Sequence, residues 1–241
     1  MRNIVLIVLC LCPFYQTLFA QLIITTIREG DSRVSQYSGI DGNYSGQVAT
    51  FNVGGAEFLS NSDMEYDGQY YYGISRNDST IRRFDSSGQF LNDLAVLRVE
   101  NHPSQPNGLI PNQIGLAMDN SYYYSIGVND FRVRQYDKSG IFMGDICSLH
   151  DQYGGIFSQT GLAKFGEFFY AIANNDNRVR KFDLTGAYIE DAFVLTNLGE
   201  SGQNALFLGT GISLRMIPEP SSLSLLALGG VLVALRRRKK E

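Results

Sequence analysis

The chain has 241 residues, 44% hydrophobic and 18% charged, which is enough apolar content for a folded core and excludes a disordered chain. Its 25 glycines, 14 tyrosines and 15 phenylalanines favour short aromatic strands broken by turns over long helices. The net charge is −4, and once the two basic ends are set aside residues 21–220 hold −9, an acidic body that would repel a phosphate backbone and argues against a nucleic-acid partner.

The first predicted element is a secretory signal peptide over residues 1–20. Arg2 supplies a short positive region, Ile4 to Cys12 an apolar run too short to span a bilayer comfortably, and Ala20 a small residue for cleavage before Gln21. A lipoprotein signal at Cys10 fits less well, because Leu9 stands where a small residue is needed, and a retained N-terminal anchor is the other alternative.

From Gln21 onward the chain repeats. The phrases Gly30-Asp31-Ser32-Arg33-Val34, Asn77-Asp78-Ser79-Thr80-Ile81-Arg82, Asn129-Asp130-Phe131-Arg132-Val133-Arg134 and Asn175-Asp176-Asn177-Arg178-Val179-Arg180 align on their aspartates with offsets of 47, 52 and 46 residues. An apolar or aromatic strand precedes each aspartate, over Leu22 to Ile27, Tyr70 to Ile74, Tyr122 to Ile126 and Phe168 to Ile172. A second strand follows it and ends in Tyr37, Phe84, Tyr136 or Phe182. Three copies then turn through Asp85-Ser86-Ser87-Gly88, Asp137-Lys138-Ser139-Gly140 and Asp183-Leu184-Thr185-Gly186, where aspartate opens the turn and glycine takes a positive φ. The first copy departs from this, with Ser38-Gly39-Ile40-Asp41-Gly42 in its place.

One further strand leads each unit: Asp63-Met64-Glu65 in the second copy, Gly115-Leu116-Ala117 in the third and Gly161-Leu162-Ala163 in the fourth. The first copy has none, and the missing strand reappears after the fourth as Gly211-Ile212-Ser213. Four antiparallel strands per unit, with the last strand of the chain completing the first unit, predict an all-β, four-bladed β-propeller over residues 21–216. Ile212 is expected beside Ile23 to Thr25; a solenoid, or an incomplete propeller completed by dimerising, is the competing architecture. Gly161-Leu162-Ala163, Phe169-Tyr170-Ala171, Asn177-Arg178-Val179, Phe182-Asp183 and Gly186 give the unit its fullest form, which resembles the NHL repeat of β-propellers across residues 22–215.

Repetition of Asp31, Asp78, Asp130 and Asp176 with Arg33, Arg132 and Arg178 in successive units points to a structural role, the aspartate binding backbone N–H groups and the arginine pairing with it or with the next blade. The aromatic triplets Tyr70 to Tyr72, Tyr122 to Tyr124 and Phe168 to Tyr170 read as packing between blades rather than as a carbohydrate platform. Recognition is sought instead where the copies differ, in the connections Glu100 to Asn112, Cys147 to Gln159 and Thr196 to Gly209, with Asn101, His102 and Asn107 as the candidate binding loop. Cys147, the one cysteine outside the signal segment, lies near His150 and Asp151 in an expected surface connection and implies neither a disulfide nor a catalytic centre. No catalytic residue, cofactor or metal is expected; Asp63 and Glu65 are the only acids on the inner strands and both fall in one blade.

The last element, residues 217–241, joins Pro218-Glu219-Pro220 to the uncharged run Ser221 to Leu235 and the basic cluster Arg236, Arg237, Arg238, Lys239 and Lys240. The prolines end the preceding strand. As a transmembrane helix the run reaches roughly 22 Å at ~1.5 Å per residue, a little under the ~30 Å of hydrocarbon. The cluster would keep its end cytoplasmic. This ordered triplet resembles the PEP-CTERM sorting signal of Gram-negative bacteria. The resemblance implies export, transient anchoring in the inner membrane, processing by an exosortase-type enzyme and release to the cell surface or beyond, in the setting of exopolysaccharide and biofilm formation. The whole reads as a non-catalytic surface or matrix protein, with exopolysaccharide or another exported protein as partner. A propeller lyase or lactonase, or a purely structural envelope component, are the alternatives.

Overall fold

The computed structural model describes residues 21–28, 32–39, 42–53, 56–57, 62–75, 78–98, 113–127, 131–150, 160–173, 177–195 and 210–217. The predicted signal peptide, the binding loop and the C-terminal helix with its basic cluster lie outside them. No helix among the described residues is long and apolar enough to cross a membrane. Leu22–Arg215 forms one compact body.

That body is a four-bladed β-propeller of antiparallel sheets. In chain order its first blade holds β1 (Gln21–Arg28), β2 (Arg33–Ser38) and β3 (Tyr44–Thr50), followed by a small hairpin of β4 (Asn52–Val53) and β5 (Ala56–Glu57). The second blade is β6 (Ser62–Tyr66), β7 (Tyr71–Ser75), β8 (Thr80–Phe84) and β9 (Phe90–Val96). The third is β10 (Gln113–Met118), β11 (Tyr123–Gly127), β12 (Arg132–Tyr136) and β13 (Phe142–Ser148), and the fourth is β14 (Thr160–Phe165), β15 (Phe168–Ala173), β16 (Arg178–Asp183) and β17 (Tyr188–Val194). The last strand, β18 (Thr210–Ile217), pairs with β1 and gives the first sheet the order β18-β1-β2-β3. The ring is therefore closed by its two chain ends, as the missing inner strand of the first repeat predicts.

The outer pair of strands slips register twice in every blade, at Val34/Ser35 and Gln36/Tyr37 in the first and at matching positions in the other three. Bulges of this kind increase local twist and make an exposed edge strand a poor template for a further strand.

Blades hold one another through one contact repeated around the ring. Just after each outer strand a fully buried side chain, Phe51, Leu97, Leu149 or Leu195, leaves its own sheet for the next core. Phe51 joins Tyr71 and Phe84 of the second blade, stacked on Phe84 at 4.2 Å between ring centroids. Leu97 joins Tyr123 and Tyr136, Leu149 joins Phe169 and Phe182, and Leu195 closes the circle against Ile24 and Tyr37. Each side chain removes apolar surface worth about 1.5–3 kcal/mol.

The turn glycines make the reciprocal contact. A Cβ on Gly88, Gly140, Gly186 or Gly42 would lie 2.2, 2.3, 2.2 or 2.3 Å from the carbonyl oxygen of Thr50, Val96, Ser148 or Val194, always in the preceding blade. All four adopt positive φ, between 68° and 90°. The first blade, irregular in sequence, reaches the same end by a longer turn in which Gly42 N–H bonds Ser38 O at 2.8 Å. Gly140→Ala is expected to cost on the order of 3 kcal/mol, from left-handed backbone and backbone overlap together. An unchanged urea midpoint for that variant would show that the glycine contact does not lock the blades.

Candidate functional site at the propeller axis

The inner strands β6, β10, β14 and β18 surround the axis with three matching rows. The first row is Asp63, Gly115, Gly161 and Gly211; the second Met64, Leu116, Leu162 and Ile212; the third Glu65, Ala117, Ala163 and Ser213. Side chains of the second row are buried between blades. Their main-chain N–H groups turn to the axis, because alternate residues of an edge strand project their backbone groups away from the neighbouring strand.

Asp63 meets all four of those N–H groups. Its Oδ1 accepts from Met64 at 2.8 Å and Ile212 at 2.6 Å, and its Oδ2 accepts from Leu116 at 2.5 Å and Leu162 at 2.8 Å. One carboxylate of the second blade is thus bonded to the inner strand of every blade. Gly211 makes room for it, since a Cβ there would fall 2.3 Å from Asp63 Oδ1. Burial pushes the Asp63 carboxyl well above the ordinary aspartate range, against the opposing pull of its four N–H donors. Each oxygen nevertheless faces only donors, which is the bonding geometry of a carboxylate.

One row further along, Glu65 is 6% exposed beside Asp63 at 1%. Its Oε1 accepts from the Ser213 hydroxyl and, at 3.1 Å, from Tyr66 N–H. Its Oε2 is buried without a hydrogen-bond partner among the described residues. Burial pushes Glu65 up to about 8, with the Ser213 and Tyr66 bonds working in the opposite direction.

The repeated polar residues that the sequence singles out lie away from this axis. Asp78 accepts Thr80 N–H at 2.9 Å and pairs with Arg82. Arg132 pairs with Asp145 at 3.5 Å and Arg178 with Asp191 at 2.8 Å, both on the outer strand of their own blade, a partner that the repeat phrase does not contain. Arg33 opens β2 at the equivalent position. These pairs are partly exposed and contribute about 0–1 kcal/mol each. Asp31, Asp130 and Asp176, the loop residues Asn101, His102 and Asn107, the motif Pro218, Glu219, Pro220 and the cluster Arg236 to Lys240 lie outside the described residues.

Cys147 corrects one expectation. It is not in a surface connection but in β13, opposite Val133, because the outer strand continues to Ser148 past its two bulges. Burial, and secondarily Asp183, push its thiol up to about 11. His150 leaves the strand and bridges Ala187 of the fourth blade, its ring tilted against Phe131 at 5.0 Å between centroids.

Fold and tail together define the class, a closed four-bladed propeller joined directly to a C-terminal sorting signal. Residues 217–239 match the PEP-CTERM protein-sorting motif, which marks the chain for export and for sorting by an exosortase-type enzyme. No curated protein matches the sequence. Among solved structures the chain is similar to Myxococcus xanthus glutaminyl cyclase at 11% identity, covering 85% of this chain and 78% of that one with a TM-score of 0.40. A Bacteroides caccae protein of unknown function has 5% identity, 70% and 57% coverage and a TM-score of 0.33. The dihydro-heme d1 dehydrogenase NirN, in complex with DHE, has 13% identity, 69% and 34% coverage and a TM-score of 0.30.

Two measurements check this site. Asp63→Asn keeps the shape but offers one acceptor oxygen in place of two, leaving two buried N–H groups against an amide; a loss of about 3 kcal/mol is expected in urea unfolding at ~1–3 kcal/mol per unmet donor. Wild-type stability in that variant would remove the hub role of Asp63. For Cys147, alkylation of the native protein by iodoacetamide at pH 8 is expected to run at least about tenfold slower than in urea, since the thiolate is the nucleophile; equal rates would return it to an accessible connection.

Proposed function

We propose that the protein is an exported, non-catalytic surface or matrix component of a Gram-negative bacterium, its propeller a binding or structural module and its tail processed by an exosortase. The observation that carries the non-catalytic reading is the bonding of Asp63. A propeller presents its inner strands to a ligand along the axis, and here Asp63, one of the two acids on those strands, has both oxygens committed to main-chain donors of all four blades. A general base or nucleophile needs a free lone pair aimed at substrate. Asp63 instead serves the scaffold.

The position of the motif supports the processing half. β18 runs to Ile217 and the matched motif begins at residue 217, so the strand that closes the first blade lies entirely before Pro218. Processing at or after Pro218 leaves the ring whole. Exopolysaccharide or another exported protein is the proposed partner, with the unequal blade connections around Asn101, His102 and Asn107 as the proposed contact.

The test is expression of the full chain in a host with an exosortase system and in the same host lacking the exosortase. With the enzyme, the protein is expected to lose its tail and to fractionate with the cell surface or medium; without it, or with Pro218 and Glu219 replaced by alanine, it is expected to stay full length in the inner membrane. Identical size and fractionation in both hosts would overturn the sorting proposal. Polysaccharide pull-down with the processed protein then tests the partner, and binding unchanged by alanine at Asn101, His102 and Asn107 would remove that loop from the contact.

A further inference from the structure

Asp63 and Glu65 bury two carboxyl groups at the axis, and neither has an ion-pair partner among the described residues. Burying charge without a counter-charge costs several kcal/mol per ion, so what lies between the two groups matters.

The N–H groups that reach Asp63 also fix the direction of the adjoining carbonyls. In an antiparallel strand a residue's N–H and C=O project from the same edge. Met64, Leu116, Leu162 and Ile212 all give their N–H to Asp63, so their carbonyls face the axis too, one peptide group further along the strands toward Glu65. Glu65 follows Met64 along β6, so strand geometry puts it beyond those carbonyls, with Oε1 bonded to Ser213 and Tyr66 and Oε2 buried with no hydrogen-bond partner among the described residues. The order along the axis is carboxylate, four carbonyl oxygens, carboxyl group.

We infer that this ring is a binding site for one divalent cation of the calcium type, held by the main-chain carbonyls of Met64, Leu116, Leu162 and Ile212 and by Glu65 Oε2, with the Asp63 carboxylate as the neighbouring counter-charge. The donor set is oxygen alone, which suits hard cations rather than zinc or copper. Calcium accepts six to eight oxygens in adaptable geometry, whereas magnesium demands an octahedron and retains several waters. The four carbonyls and Glu65 Oε2 supply five protein oxygens, so one or more waters complete a calcium shell, whereas magnesium would have to give up most of its own. Two carboxylates balance its charge. Because each blade contributes one carbonyl, the ion would bind the closed ring and not its separate blades, and so raises the stability of the closed state.

The full-length protein, purified in detergent and stripped with a chelator, tests this. Calorimetry is expected to find one calcium per chain, and 1 mM calcium to raise the melting temperature by several degrees while 1 mM magnesium does so by less than a third as much. Glu65→Gln keeps the volume and the acceptor for Ser213, and is expected to weaken calcium binding at least about tenfold, whereas the exposed-face control Glu190→Gln leaves it unchanged. No calcium binding up to 10 mM, or wild-type affinity in Glu65→Gln, overturns the site. Should Glu65→Gln fail to fold, X-ray absorption of the wild-type protein loaded with calcium decides. An oxygen shell at about 2.4 Å backed by a shell of carbonyl carbons supports the ring, and an oxygen shell of water alone, with no carbon behind it, overturns it.

Discussion

One carboxylate, on the inner strand of the second blade, is bonded to the inner strands of all four sheets. Packing between successive blades is a local affair, each core reaching into the next through Phe51, Leu97, Leu149 or Leu195. Asp63 differs in kind, because its partners lie 1, 53, 99 and 149 residues away and include the blade directly across the ring. Unmet N–H groups on these buried inner edge strands would be costly. The hub answers that need with a single side chain, and it is complete only when β18 has docked. Closure of the ring and satisfaction of the axis are therefore the same event.

The tail gives that coupling a consequence. The strand that closes the propeller is both the one that completes the hub and the one that ends where the sorting motif begins. Before β18 pairs with β1, the first blade has three strands and an open inner edge, and Asp63 lacks the Ile212 donor. After pairing, the polypeptide up to Ile217 is held by main-chain bonds. A folded, closed body is thus defined immediately upstream of Pro218, which is the arrangement that processing at that point requires if the product is to remain folded.

The ring architecture was legible in the sequence because its determinants repeat. Period, turn glycines, the Asp-x-x-Gly turns and the displaced inner strand are all local patterns, and one count of blades reconciles them. The axis was not legible for the opposite reason. Asp63 and Glu65 break the pattern, and on the sequence they read as two acids in one blade with too few companions to form a site. Their companions are backbone groups, which carry no residue signature, and they become visible only when the three other inner strands are placed around them. Cys147 falls in a strand and not in a connection for a smaller cause: two bulges carry β13 beyond the point where the repeat phrase suggests it ends. The signal that could have marked the axis was present in the comparison of rows, where Gly, Gly and Gly stand against Asp, and Ala, Ala and Ser against Glu.

That asymmetry follows from the geometry of a narrow ring. Four equivalent positions project toward one volume, and a strictly repeating sequence would have to fill it four times or not at all. Four aspartates would set like charges together at the axis. Four glycines would leave four N–H groups facing an unfilled space. One aspartate and three glycines is the composition that fits one carboxylate to four donors, and the 2.3 Å between Asp63 Oδ1 and a Cβ on Gly211 shows how little tolerance the space has for a second side chain. Gly211 is thus kept small by its neighbour and not by its own backbone, unlike the turn glycines, whose positive φ and contact with the preceding blade both exclude a side chain. In a propeller of this size, then, departure from the repeat is itself a structural requirement at the centre, and the residues that depart are the ones on which the closed ring converges.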